Sequence, residues 1–150
     1  MDAFEAISLP EPSAITGKKC FTAEDANRSL VLVRRIVSDI VNHYHDLCEL
    51  HSVYKTQSQR GNSEEAEQTR QRYIDITDRL SELRNELEEI GCELKDLELG
   101  LVDFPSLFDG REIFLCWKLG ESDVHFWHEV TAGYKGRQPL NCQPNEIHDV

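Results

Sequence analysis

Two runs of seam positions spaced alternately four and three residues apart constrain this chain more than any other feature. The first is Ala26, Leu30, Val33, Val37, Ile40, Tyr44, Leu47, His51 and Tyr54. The second is Ala66, Thr69, Tyr73, Ile76, Leu80, Leu83, Leu87, Ile90 and Leu94. A mean spacing of about 3.5 residues keeps each run on one side of a helix, so each helix needs a partner along its length. The polar stretch QSQRGNS at 57–63 separates the runs and is short enough to fold them back on each other. The pattern therefore predicts a long antiparallel helical hairpin, with helices at about 22–56 and 63–92. Thr22 and Asp25 have the spacing of a helix-capping pair, and Phe21 just outside them suits a hydrophobic staple against Ala26. Leu32, Ile36 and Val41 broaden the first stripe in its front half only, so that half is expected to pack against more than one element. Gly91 is placed to end the second helix.

Past Gly91 the period changes. Leu97, Leu99 and Leu101 alternate with other residues, and Gly100, Gly110 and Gly120 follow at even intervals. Asp109-Gly110 is a two-residue hairpin signal. It predicts a strand near 99–104 joined to one near 111–119, and the Gly120–Asp123 turn leads to a third near 124–130. The expected fold class is α+β: the hairpin plus a small three-stranded antiparallel meander at about 97–130, closed by a loop at 131–140. Together these make one domain at 21–140. Residues 1–20, with Pro10, Pro12 and Gly17, read as a flexible arm on which Phe4 and Ile7 could dock, and 141–150 as a frayed tail.

Charge narrows the function classes. A net charge of −12 works against nucleic acid and anionic membrane, which need clustered Lys and Arg. Residues 64–98 alone hold twelve acidic and five basic side chains, a load that solvated helix faces carry through i,i+4 pairs. The longest apolar runs, Leu30–Val33 and Ile113–Trp117, fall far short of the ~20 residues a membrane-spanning helix needs. The first residues, MDAFEAISLPEP, lack the basic-then-apolar order of a signal peptide. Five Cys with no CxxC spacing point to a reduced, cytoplasmic protein.

Reactive side chains gather in 91–140. With Gly120–Asp123 as the turn, Leu119 faces Val124, Trp117 faces Phe126 and Cys116 faces Trp127. Counting back through Asp109-Gly110 sets Asp103 opposite Cys116, with a bulge expected at Pro105. One face then carries Asp103, Cys116, His125, Trp127 and Glu129. The other, toward the helices, carries Ile113, Leu115, Trp117, Leu119, Phe126 and His128. Asp103, Cys116, His125, His128 and Glu129 are the candidate ligands for a borderline metal such as Zn²⁺ or Fe²⁺, or the candidate acid–base groups. Cys116 with His125 or His128 is the formal nucleophile–base pair. On the predicted apolar face, His128 needs partners for its ring nitrogens, which Asp96, Glu98 or Asp103 could supply. Lys95, Arg111 and Arg137 are the candidate anion-binding residues, Arg137 lying in the Gly-rich GYKGR loop at 133–137. A pocket between the sheet and that loop follows if an anionic substrate is bound there. No Walker loop, GxGxxG, GxSxG or HExxH occurs.

The segments FTAEDANRSLVLVRRIV, GCELKDLELGLVDFP, GREIFLCWKLGE and WHEVTAGYKGRQPL, in this order and spacing, resemble the bacterial family known as domain of unknown function 2203. The resemblance spans about 21–140 and weakens between the two helices. It implies a helical front half, a Gly-punctuated tail and a bacterial cytosolic setting, and it implies no activity. Motif positions matched here include Lys95, Asp96, Gly100, Asp103, Arg111, Cys116, Trp117, Trp127, His128, Glu129 and Arg137. The favoured reading is a small cytosolic binding or assembly module, dimerising through the protruding halves of the helical seams. The alternative is a metal-dependent enzyme or sensor with its centre on the C-terminal sheet. A third is a hydrolase or transferase in which Arg137 or Arg111 orients an anionic substrate.

Overall fold

A computed structural model describes residues 19–140, so the expectations for 1–18 and 141–150 lie outside the described residues. Helix α1 runs Ala23–Gln59 and α2 runs Ser63–Ile90. The start of α1 carries the expected reciprocal cap: the Asp25 amide donates to Thr22 Oγ1 at 3.0 Å and the Thr22 amide to Asp25 Oδ2 at 3.3 Å. Phe21 does more than staple. Its ring meets the edge of Phe104 at 5.2 Å, its amide donates to the Pro105 carbonyl, and its carbonyl accepts from Ser106 Oγ. The start of the hairpin is thereby tied to the sheet.

The seams close on each other. Val33, Val37, Ile40 and Leu47 of α1 and Ala66, Thr69, Tyr73, Leu80, Leu83 and Leu87 of α2 are buried. His51 is exposed instead, and the distal seam continues through the partly buried Leu50 and Tyr54. The broad front half of α1 meets the sheet through Val37 and Val41, which lie against Gly100. Leu32, assigned to that broad stripe, is 51% exposed and faces away.

The sheet has five strands rather than three, in the order β1 (Glu93–Asp96), β2 (Leu101–Phe108), β3 (Arg111–Lys118), β4 (Phe126–Glu129) and β5 (Gln138–Pro139). All neighbours are antiparallel. The two added strands are four and two residues long. An alternation signal cannot be read over so few positions. The expected strand at 99–104 begins two residues later. Asp96 Oδ1 accepts from the amides of Glu98 and Leu99, and the Gly100 amide donates to the Asp96 carbonyl, so the Leu97/Leu99 alternation is part of a turn. Gly100 sits at φ +70°, where a Cβ would lie 2.9 Å from both Leu119 and Val37. Only glycine fits there.

The Asp109-Gly110 hairpin is as expected, with both residues at positive φ. Its register runs unbroken from Leu101↔Lys118 to Phe108↔Arg111 and pairs Asp103 with Cys116. Pro105 introduces no bulge, because β1 pairs no further along β2 than Asp103 and the missing N–H leaves no ladder bond unmade. The irregularity falls in β1, between Leu94 and Asp96.

The next hairpin differs by one residue. Cys116 pairs with Phe126, Leu115 with Trp127, Phe114 with His128 and Ile113 with Glu129. The expected Gly120–Asp123 turn is too short. Glu121 folds back, its carboxylate accepting from the Lys118 amide at 2.8 Å and its carbonyl from Trp117 Nε1 at 3.1 Å. Val124, expected opposite Leu119, is held by Asn27 of α1, which accepts from its amide at 2.6 Å and donates to its carbonyl at 3.2 Å. A one-residue slip exchanges the faces of a strand. Trp127 and Glu129 therefore share the side of Leu115 and Ile113, and His128 moves to the side of Asp103 and Cys116. Trp117 stays toward the helices.

Candidate metal centre

Three strands now deliver three different donors to one point. The β2–β3 register sets Asp103 beside Cys116, and the corrected β4 register points His128 at the same place. The carboxylate oxygen, thiol sulfur and imidazole nitrogen lie within 4.8 Å of one another, and all three residues are buried. His128 Nε2 is 3.0 and 3.1 Å from the two Asp103 oxygens, and Nδ1 is 2.7 Å from the Glu129 carbonyl oxygen. A carbonyl only accepts, so Nδ1 carries a proton and Nε2 is the nitrogen turned to the cluster.

Electrostatics make the cluster proton-rich. Burial works against the charged form of His128, but the hydrogen bonds to Asp103 and to the Glu129 carbonyl, with the Asp103 charge, outweigh it and raise its pKa above 6.5. Burial pushes the Cys116 thiol well up, with the charge and hydrogen bonding of Asp103 adding to it against the opposing charge of Arg137. Without a cation, burial therefore favours the thiol form of Cys116, and the contact with Asp103 favours a proton on His128 Nε2, between the two residues.

Glu93 stands directly opposite Asp103 on β1, with its side chain 6% exposed. Lys95 Nζ is 3.5 Å from Glu93 Oε1, while buried Oε2 has no partner. Two buried carboxylates thus face each other across β1 and β2, and one of them keeps an unpartnered oxygen. A cavity of about 420 Å³ opens beside the cluster, and its lining includes Asp103, His128, Phe114, Lys95, Tyr134 and Lys135. It lies against the loop around Gly133, where a pocket is expected for an anionic substrate.

The family model for an "Uncharacterized conserved protein (DUF2203)" matches residues 19–140. The chain belongs to this family. No curated protein and no solved structure matches it.

In this DUF2203 chain, two of the five candidate ligands lie apart from the cluster. His125 Nδ1 is 2.6 Å from Asp123 Oδ1 in the loop before β4. Glu129 receives a two-pronged ion pair from Arg111, at 3.0 and 2.7 Å. Both belonged to the expected ligand face only because β4 was placed one residue out. Of the anion candidates, Arg111 is thus committed to Glu129. Arg137 donates to both Glu121 oxygens at 2.7 Å, and its guanidinium lies 4.0 Å from the Phe126 ring centroid. Lys95 alone of the three lines the cavity. A second grouping, His45, Asp46 and Glu49, is exposed on α1, with His45 and Glu49 one turn apart at 3.8 Å. Sequence reasoning missed Glu93 and Tyr134. Glu93 follows the end of α2 in a strand too short to show an alternation, and Tyr134 lies in a Gly-rich loop without periodicity.

Proposed function

We propose that this protein is a metal-dependent enzyme or sensor whose Asp103–Cys116–His128 centre holds a borderline divalent cation such as Zn²⁺ or Fe²⁺. One observation carries the reading. Asp, Cys and His donors from three adjacent strands converge in a buried cluster whose His tautomer is fixed, by its Nδ1–H bond to a carbonyl, to present Nε2. Zn²⁺ bonds of roughly 2.0–2.3 Å to N, O and S put ligands in a tetrahedron ~3–4 Å apart, a spacing the three donors reach with small side-chain shifts. A cation would take the place of the shared proton and the thiol proton. It would also add positive charge beside Glu93 and Asp103, whose partners are otherwise Lys95 and His128.

Three protein ligands beside a cavity leave one position for water or a ligand oxygen, as working rather than purely structural metal sites do. Elemental analysis of protein purified without chelator or affinity-tag histidines tests this. The expected result is about one transition-metal ion per chain, lost in Cys116→Ser and His128→Ala and retained in His125→Ala. Metal-free protein that takes up none on reconstitution removes the reading.

The second reading, a binding or assembly module, loses the support of the helical seams. Leu47, Ala66, Thr69 and Tyr73 are already buried inside the hairpin. What remains for a dimer on α1 are exposed apolar residues off the seam, among them Val31, Leu32 and Val53.

A further inference from the structure

Arg84 is out of place. It sits on α2 beside the seam residue Leu83, is only 9% exposed, and its buried Nε has no hydrogen-bond partner. Among the described residues its guanidinium makes no hydrogen bond and no ion pair, in a chain with 28 acidic side chains. Glu88 follows one helical turn later, and the two form no pair. A buried guanidinium nitrogen without an acceptor is costly, and most such nitrogens are matched by a carboxylate or an anionic ligand.

A cavity of about 220 Å³ lies against Arg84, walled by Leu94, Lys95, Asp96 and Leu97 where β1 follows α2. The carboxylate in that wall, Asp96, forms no ion pair with Arg84, and its Oδ1 accepts from the amides of Glu98 and Leu99. The cavity is smaller than the ~300–1,000 Å³ of sites for drug-sized molecules, and it has room for a small oxyanion group.

We infer that this cavity is a second ligand site, in which the fork of Arg84 holds a small oxyanion, either a phosphate or a carboxylate group. The guanidinium presents parallel N–H donors that match two oxygens of such a group. The acidic protein around it repels anions at long range, so binding depends on this local fork and should be of modest, millimolar strength. The site shares Lys95 and Asp96 with the larger cavity but none of the three metal donors. It stands or falls separately from the metal reading.

The test follows the Arg84 Nε–Hε resonance and the amides of residues 94–97 while inorganic phosphate, or in a separate arm acetate, is added to the full chain at constant ionic strength. The expected result is a saturable shift of Arg84 Nε–Hε with at least one of the two anions, and the arm that saturates says which group the site takes. Sodium chloride at the same ionic strength should give no saturation. Arg84→Lys should weaken binding about tenfold or more, because one ammonium replaces the fork. An Arg84 resonance that does not move, or moves without saturating with either anion, overturns the inference. So does an unchanged response of residues 94–97 in Arg84→Met. If that variant does not fold, the wild-type Nε–Hε titration decides alone.

Discussion

The helical hairpin and the sheet are built from the same kinds of contact, yet they differ in how many residues decide them. In the hairpin the seams repeat over α1 and α2, so one misplaced position leaves the rest in phase. His51 and Leu32 turn out exposed and the architecture is unchanged. In the sheet a single residue in one loop decides which side chains share a face. Moving β4 by one position brings His128 to Asp103 and Cys116 and takes Trp127 away. A repeated pattern fixes a fold redundantly, whereas a site is fixed by parity.

That contrast can be broken first at the joint between the two regions. Gly100→Ala combines a left-handed backbone with a Cβ 2.9 Å from Leu119 and Val37, so it should cost roughly 3 kcal/mol or more by urea denaturation. A cost under ~1 kcal/mol would mean that the helices and sheet are less tightly locked than described. Asn27→Ala comes next. It removes the clamp on Val124, leaving a part-buried amide and carbonyl unmatched, and should cost about 1–3 kcal/mol. Hydrogen exchange should speed up in β4 before it does in the middle of α1. Equal acceleration in both would remove the distinction between them.

The smallest effect is in the pH dependence of metal-free protein. Asp103 and the Glu129 carbonyl hold the His128 pKa above 6.5, with burial and Lys95 opposing and the Cys116 thiol neutral beside it. This stabilisation is fully present below the unfolded value and is lost as the pH rises through the folded one. The urea midpoint of chelator-treated protein should therefore fall on the alkaline side of 6.5, and Asp103→Asn should flatten that part of the curve. A midpoint that rises there would contradict the bridged proton.

How much of this the sequence carried follows from the same contrast. The capping pair Thr22/Asp25, both seams and the Asp109-Gly110 turn were legible because each is a local pattern with one physical solution. Asp103 beside Cys116 followed directly from that turn. The β4 register did not, because what stretches the loop after Lys118 is a clamp from Asn27, ninety-seven residues before Val124, and no local signal records it. Glu93 was hidden for another reason. A four-residue strand with one irregularity gives no alternation from which to tell its faces.

Cobalt(II) titration of the metal-free protein tests the central claim most directly, because a cobalt–thiolate bond gives a near-ultraviolet charge-transfer band. A centre of Asp103, Cys116 and His128 predicts that this band saturates at about one equivalent and that protons are released as it grows. It also predicts that affinity rises with pH and that the band is absent in Cys116→Ser. A band that survives in Cys116→Ser, or no band at any cobalt concentration, would contradict the account.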